Sequence, residues 1–163
     1  MERIWSPWRS EYMQTAGGDE GCFLCATASG DRPDPNVLHR GAEVFVVLNA
    51  FPYNTGHLMI VPYRHVAELD EMSDPERFDM ISVTSSAVAI VREAMRCQGF
   101  NLGMNLGLAA GAGVPGHAHL HVVPRWGGDT NFMPVVGETK VLPEMLEQTR
   151  ERLIPGFRSL GGA

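Results

Sequence analysis

The stretch GHAHLHVVPRWGG, residues 116–128, contains histidines at alternate positions of an apolar, β-prone run. Half of the six histidines in the chain fall in a span of five residues inside this stretch: His117, His119 and His121. Side chains two residues apart on a strand point to the same face, roughly 7 Å from one another. The alternation therefore predicts a strand on which Ala118, Leu120 and Val122 face the core and the three imidazoles line the opposite face.

A glycine-rich loop precedes this strand and suggests what the histidines act on. Neutral imidazole is a good nucleophile toward phosphorus, and its ordinary pKa leaves it mostly unprotonated at neutral pH. The loop, residues 107–116, has four glycines that let backbone N–H groups approach phosphate oxygens. It lacks the G-K-[ST] ending of a P-loop. The residues thus favour attack on a phosphoanhydride through a nucleotidyl-histidine, and they leave open a metal-binding face without catalysis.

Composition indicates the class of protein. The chain has 163 residues, 44% of them hydrophobic and 20% charged, with a formal net charge of −6. This acidity argues against a broad basic surface for nucleic acid. The opening MERIWSPWRSEY has charges and a proline where a signal peptide is apolar, and no run of about 18 apolar residues could span a bilayer. We expect a cytoplasmic protein that binds neither nucleic acid nor membrane, with an N-terminal extension at 1–20 and one catalytic domain at 21–163.

The periodicity of the remaining chain predicts an α+β fold. VLHR at 37–40 and EVFVVLN at 43–49 form a predicted hairpin, and strands are expected at 57–65, ending at Pro62, and at 100–107. Residues 73–99 predict one long helix, and residues 142–153 predict a C-terminal helix. Strands with hairpin connections on both sides of one helix indicate an antiparallel sheet with helices packed on it.

The boundaries and the buried face of the long helix are also predicted. Ser73 and Glu76 form a capping box at its start, and Gly99 suits the left-handed residue after its end. The three-or-four spacing of apolar residues predicts a core-facing stripe of Phe78, Ile81, Val88, Val91 and Met95.

Two of the three cysteines form the C-x-x-C of GCFLCATASG. In a reducing compartment, Cys22 and Cys25 suggest a metal site or a redox pair before a structural disulfide. Cys97, near the end of the long helix, is expected to be an inert buried thiol.

These motifs together resemble the histidine triad (HIT) superfamily of nucleotide hydrolases and transferases. HAHLHVV fits its pattern His-φ-His-φ-His-φ-φ, and GHLMIVPYRH is similar to its strand G-H-x-L-V-x-P-x-x-H. The resemblance covers nearly the whole chain and implies a HIT-like antiparallel sheet. Asn49, eight residues before His57, stands where family members place a residue that bonds the ribose. For His57 itself, a structural role and a role in the site remain equally open.

The resemblance also implies the catalytic roles. His119 is the nucleophile, with its other ring nitrogen bonded to a backbone carbonyl. His121 contacts a phosphate oxygen and helps to protonate the leaving group, while His117 completes a metal site or orients its neighbours. Asn105 matches a polar phosphate contact, and the phosphate-binding backbone corresponds to Ala112, Gly113, Val114 and Pro115.

One branch of the superfamily binds zinc, and the resemblance implies the same site here. Its ligands would be Cys22, Cys25, His65 and His117, two thiolates and two imidazoles in a closed tetrahedral site of structural type. An unmetallated or redox-active cysteine pair remains the alternative. Whether Mg²⁺ accompanies the substrate is left open.

The flanking sequences indicate the substrate class. WSPWR and VVPRWGGDTNFMPVVGETKVLPEML look like the bacterial diadenosine tetraphosphate phosphorylase branch, which implies a dinucleoside polyphosphate, or a smaller nucleotide, as substrate. A third histidine, His121, is the usual hydrolase form, so the acceptor is either phosphate or water. The alternative is a non-catalytic, zinc-stabilised nucleotide-binding or scaffold protein. Relatives imply a homodimer paired through the long helix and an extended sheet, with Trp5 and Trp8 as interface anchors.

Overall fold

The computed structural model describes residues 21–30, 34–131, 133–137 and 141–161. The predicted N-terminal extension at 1–20, with Trp5 and Trp8, lies outside these residues, so the boundary before residue 21 stays a prediction. Within the described ranges, no helix is both long enough and apolar enough to cross a membrane.

The centre of the fold is a five-stranded sheet in which every neighbouring pair is antiparallel. The strand order is β1-β2-β3-β5-β4. The predicted hairpin and antiparallel α+β class are therefore confirmed, with somewhat shorter strands than predicted. The strands are β1 Val37–Arg40, β2 Val44–Leu48, β3 Leu58–Pro62, β4 Gly99–Met104 and β5 Leu120–Arg125.

The described helices are α1 Phe23–Ser29, α2 Asp74–Met95, α3 Met133–Val136 and α4 Leu146–Arg158, with 3₁₀ turns at Leu69–Glu71 and Leu108–Ala110. The predicted capping box is present at the start of α2, where Ser73 accepts from the backbone of Glu76 and Glu76 accepts from the backbone of Ser73. The C-terminal helix begins and ends later than predicted and includes Pro155.

Both faces of the sheet are covered, which explains the continuous apolar run of β2. Val44, Val46 and Leu48 belong to a core shared with α2 and α4. Phe45 and Val47 lie on the other face, in a smaller cluster with Leu24 of α1. Strands buried on both faces read as unbroken hydrophobic runs because neither face needs polar side chains. His121, the site residue within β5, lies on the same side as α1, whereas His117 and His119 precede the strand that was predicted to carry all three histidines.

The predicted core stripe of α2 is partly wrong. Phe78 and Ile81 are 78% and 63% exposed. The buried face instead consists of Glu76, Met80, Val83, Thr84, Ala87, Val91 and Met95. The stripe was misplaced because a polar and a small residue, Thr84 and Ala87, occupy the line of contact with the sheet. A pattern based on the spacing of large apolar residues does not identify such positions.

The predicted end of α2 also differs. Arg96, with φ of 51°, is the left-handed cap residue, and its N–H donates to the carbonyl of Arg92. Gly99 instead begins β4 and pairs with Arg125. The helix ends early because Cys97 must enter the core directly before the strand. Its buried position agrees with the expected inert thiol.

Candidate active site and metal centre

The two cysteines and two of the histidines converge beside α1. Cys22 is the N-cap residue of α1 and Cys25 lies in its first turn. The Nδ1 of His117 is 3.3 Å from the Cys22 sulfur and 3.4 Å from the Cys25 sulfur, and the Nδ1 of His65 is 3.1 Å from the Cys25 sulfur. All four donor atoms lie within 4.8 Å of one another.

This donor set can hold a metal ion. The Nε2–H of His117 donates to the carbonyl of Pro62 at 2.9 Å, which leaves its Nδ1 lone pair directed at the cysteines. Such a bond from the second ring nitrogen is the usual support of a metal-binding histidine. Burial and the neighbouring Cys22 raise the pKa of Cys25 to about 11, so a metal ion would have to displace protons. Two sulfur and two imidazole donors suit zinc.

His119 is held in one tautomer by the chain itself. Its Nδ1–H donates to the backbone carbonyl of His117 at 2.8 Å, so its Nε2 carries the lone pair. This is the hydrogen bond required of His119 in the sequence analysis. Burial lowers the pKa of His119. The side chain is therefore neutral at pH 7, the protonation state that a nucleophile needs.

His121 belongs to a second hydrogen-bonded line that includes His57. The backbone N–H of Tyr53 donates to Nδ1 of His57 at 3.0 Å, and Nε2 of His57 lies 2.9 Å from Nδ1 of His121. Because the peptide N–H can only donate, Nε2 of neutral His57 carries the proton and donates to His121. The remaining nitrogen of His121, Nε2, is then an N–H donor. His121 and His119 stack edge to face, with ring centroids 4.8 Å apart.

Burial and the nearby His121 and His119 lower the pKa of His57 to about 3, which keeps it neutral in this line. The side chain of His57, 0% exposed, thus contacts the histidine cluster, and its role there stays a prediction. No motif in the sequence indicated Tyr53. Its position within the β2–β3 loop, four residues before the histidine that directly precedes β3, was the available signal.

The predicted phosphate loop connects β4 to the histidines. Gly107 and Gly111 have φ of 72° and 80°, conformations that favour glycine. Ala112 is buried, and the carbonyl of Val114 accepts from the N–H of His117. Gly113, Pro115 and Asn105 are partly exposed, and their predicted phosphate contacts remain predictions.

Asn49, the predicted ribose contact, lies beside the histidine line. Its side-chain oxygen accepts from the N–H of Phe51 at 2.9 Å, and its Nδ2 lies 3.4 Å from Nδ1 of His57. Arg125, at the end of β5, pairs with Asp129 at 2.6 Å and donates to Asn101.

Comparisons with known proteins agree with this arrangement. The profile of the HIT domain matches residues 32–128. A protein named AP-4-A phosphorylase from Mycobacterium tuberculosis is 40% identical over 163 aligned positions, which cover 94% of this chain and 83% of the relative.

Solved structures share the fold. A zinc-bound histidine triad family protein from Mycobacterium smegmatis superposes with a TM-score of 0.70 at 26% identity, covering 88% of this chain and 97% of that one. A diadenosine triphosphate hydrolase from Plasmodium falciparum, solved with cyclomarin A, has a TM-score of 0.62 at 16% identity, covering 79% and 78% of the two chains, and shows likeness of fold alone. By the profile match and the 40% identity, the chain belongs to the HIT-domain family, the histidine triad proteins.

Proposed function

We propose that this protein transfers a nucleotidyl group from a dinucleoside polyphosphate of the diadenosine tetraphosphate type, with His119 as the nucleophile. The observation that carries the proposal is the opposite polarity of two adjacent imidazoles. His119 carries the lone pair on its Nε2, and His121 has an Nε2–H donor. A nucleophile beside a hydrogen-bond donor for the leaving oxygen is a pair suited to cleavage of a phosphoanhydride.

The first step forms a bond from Nε2 of His119 to the terminal phosphorus that bears the nucleoside. The bond from that phosphorus to the bridging oxygen breaks, and the oxygen leaves with the electron pair as an anionic phosphate oxygen of ATP, stabilised by a hydrogen bond from Nε2–H of His121. The products of this step are ATP and an adenylyl group on His119. The loop at 112–115, in which Pro115 has no N–H and only the other residues can donate one, binds the phosphates together with Asn105, and Asn49 bonds the ribose.

In the second step, an acceptor oxygen attacks the phosphorus and the bond to Nε2 of His119 breaks. Inorganic phosphate as acceptor gives ADP, and water gives AMP. We favour phosphate because the relative at 40% identity carries the name AP-4-A phosphorylase. The two acceptors are separated by product analysis with diadenosine tetraphosphate, with and without added phosphate and with and without Mg²⁺. ADP plus ATP only with phosphate supports a phosphorylase, whereas AMP plus ATP without phosphate means a hydrolase.

The role of His119 is tested by His119→Asn, with His39→Asn in β1 as the matched control. Loss of turnover in the first variant alone, with nucleotide affinity and metal content unchanged, supports covalent catalysis. An adenylyl group that mass spectrometry detects on wild-type His119 and not on the variant would identify the intermediate. If His119→Asn alters affinity only, and the wild type turns over no nucleotide, the protein is a non-catalytic binding or scaffold protein instead.

We further propose that zinc occupies the site of Cys22, Cys25, His65 and His117 and supplies structural cross-linking there. The donor chemistry supports this, as does a zinc-bound family member at 26% identity. The location we propose is the cytoplasm, where free thiols persist. The domain boundary at residue 21 remains part of the proposal.

The proposed assembly is a homodimer. Within the described chain β4 pairs only with β5, so its other edge presents unpaired backbone groups. Leu102 on this strand is 53% exposed, and α2 exposes Phe78 and Ile81. An edge strand with an exposed apolar side chain is suited to pairing with a second copy.

A further inference from the structure

We propose that Tyr53 is a positioning residue that keeps His121 in the tautomer with an N–H at Nε2; this inference rests on the nucleotidyl transfer proposed above. Tyr53 lies in the loop between β2 and β3 and contacts His57 in two ways. Its backbone N–H donates to Nδ1 of His57 at 3.0 Å, and its ring centroid is 4.6 Å from that imidazole. The same ring lies 5.6 Å from the ring of His121.

The peptide N–H of Tyr53 sets the donor-to-acceptor direction of the hydrogen bonds that run through His57 to His121. Two neutral imidazoles that share one hydrogen bond can hold the proton in either direction. In one, His57 donates to Nδ1 of His121, and Nε2 of His121 is an N–H donor. In the other, Nδ1 of His121 donates, and its Nε2 is an acceptor that cannot donate a hydrogen bond to a leaving oxygen. The peptide N–H selects the first direction because it requires a lone pair on Nδ1 of His57.

The aromatic ring of Tyr53 keeps water away from the two imidazoles and so preserves the direction of their hydrogen bond. His57 is 0% exposed, whereas Tyr53 is 44% exposed, so the tyrosine ring is the outer layer over the imidazoles. If that layer were removed, water could donate to or accept from either ring, and the reverse tautomer would become accessible. Asn49 is the second group facing Nδ1 of His57, and at 3.4 Å its Nδ2–H favours the same direction more weakly.

Three variants that all keep the peptide N–H test the contribution of the ring independently of that N–H. Tyr53→Phe retains the ring, Tyr53→Leu retains apolar bulk without aromaticity, and Tyr53→Ala removes the layer. Phe51→Ala is the control, since it removes an exposed aromatic side chain from the same loop. The direct readout is ¹⁵N NMR of the imidazoles, which reports the tautomer of each neutral histidine, together with solvent exchange of the His57 N–H.

We expect wild type, Tyr53→Phe and Phe51→Ala to share one tautomer for His57 and for His121. Tyr53→Ala should give mixed tautomers for His121 and faster exchange of the His57 N–H. Its kcat should fall about tenfold or more, with KM changed little, because one positioned hydrogen-bond donor to the charge that develops in the transition state contributes roughly 10²–10³-fold. Tyr53→Leu should lie between the two and serves as the test if Tyr53→Ala does not fold.

The inference is overturned if Tyr53→Ala keeps the wild-type tautomers, or if Tyr53→Phe loses as much activity as Tyr53→Ala. The latter result would assign the effect to the hydroxyl. Failure of the proposed function is distinguishable, because the NMR readout needs no turnover. A wild type that cleaves no dinucleotide but whose tautomers depend on the Tyr53 ring would refute the substrate and retain the positioning role.

Discussion

The Nδ1–H of His119 donates to the backbone carbonyl of His117, whose own ring faces Cys22 and Cys25. One residue thus contributes its side chain to the candidate metal centre and its main chain to the proposed nucleophile. A change that displaces His117 must also change the hydrogen bond that fixes the tautomer of His119. We therefore expect the candidate metal centre to be coupled to the proposed nucleophile through His117, although no metal ligand needs to touch the substrate.

The first prediction concerns loss of the metal. Cys25→Ala should abolish stoichiometric zinc in the purified protein, lower the melting temperature by several degrees and reduce kcat more than it raises KM. Binding to the folded state alone stabilises a protein by mass action, so loss of the ion removes that stabilisation. Elemental analysis, thermal unfolding and steady-state kinetics provide the three measurements.

Cys97→Ala is the matched control, since Cys97 is a buried thiol of the main core outside the metal cluster. It should retain full zinc content. The difference between its melting temperature and that of the wild type should be the same with and without a chelator. Equal zinc content in the two variants would refute the assigned ligand set. Unchanged kcat in zinc-free Cys25→Ala would refute the coupling through His117.

The second prediction concerns acid stability. Burial and the neighbouring imidazoles lower the pKa of His57 to about 3, whereas an unfolded histidine titrates near 6.5. Between these values the unfolded state holds an additional proton, so the free energy of unfolding must fall as the pH falls. Within this window, this one group makes the free energy of unfolding fall by about 1.4 kcal/mol for each pH unit of acidification. Above pH 6.5 the group no longer lowers the free energy of unfolding.

Urea unfolding from pH 6.5 to 4.5 tests this, with His57→Gln as the variant. Both proteins should carry Cys25→Ala, so that acid release of a metal ion does not contribute. The variant should show a shallower pH dependence, by about one proton. Parallel curves for the two proteins would mean that His57 is not the buried neutral group described above.

The sheet could be predicted from the sequence because local signals and tertiary packing agree there. The hairpin of β1 and β2 has two short β-prone runs separated by Gly41 and Ala42, and the capping box of Ser73 and Glu76 marks the start of α2. The core stripe of α2 could not be located by the same means. Which side of a helix touches a sheet depends on packing, and Thr84 and Ala87 lie at the contact without an apolar signal.

The candidate site also has one part that the sequence indicated and one that it did not. The resemblance to the zinc-binding branch of the family grouped His65 with the cysteines, and their donor atoms lie together in the structure. Spacing could not reveal that His57 bonds to His121, since these residues are 64 positions apart and meet only through pairing of β3 with β5. The contribution of Tyr53 is a backbone N–H and a ring contact, neither of which depends on a motif.

The third prediction tests the edge strand. Leu102→Lys should convert the proposed dimer to a monomer at micromolar concentration, because a charged side chain on an edge strand opposes pairing. Sedimentation or light scattering measures the mass. Met145→Lys, a similar change at an exposed apolar residue before α4, should leave the mass unchanged. A monomeric wild type, or a Leu102→Lys protein that stays dimeric, would contradict pairing through β4.

The last prediction concerns the contact of α4 with α2. A Cβ added at Gly156 would lie 2.5 Å from Cγ2 and 3.4 Å from Cβ of Ile90. The Cγ2 of isoleucine is attached to the branched carbon and cannot turn away freely, so the helices must separate. Although alanine gains about 0.5–1 kcal/mol over glycine in a helix, overpacking costs about 1–3 kcal/mol. Gly156→Ala should therefore lower the free energy of unfolding.

Gly103→Ala is the comparison for this change, because a Cβ at that position meets no atom within 4 Å. The decisive measurement is a double-mutant cycle with Ile90→Ala, which removes the clashing methyl group. Each single variant should be destabilised, but Gly156→Ala should cost much less, or even stabilise, when Ile90 is already alanine. Strictly additive effects would mean that the two helices accommodate the extra carbon elsewhere, and that the close approach at Gly156 does not set their separation.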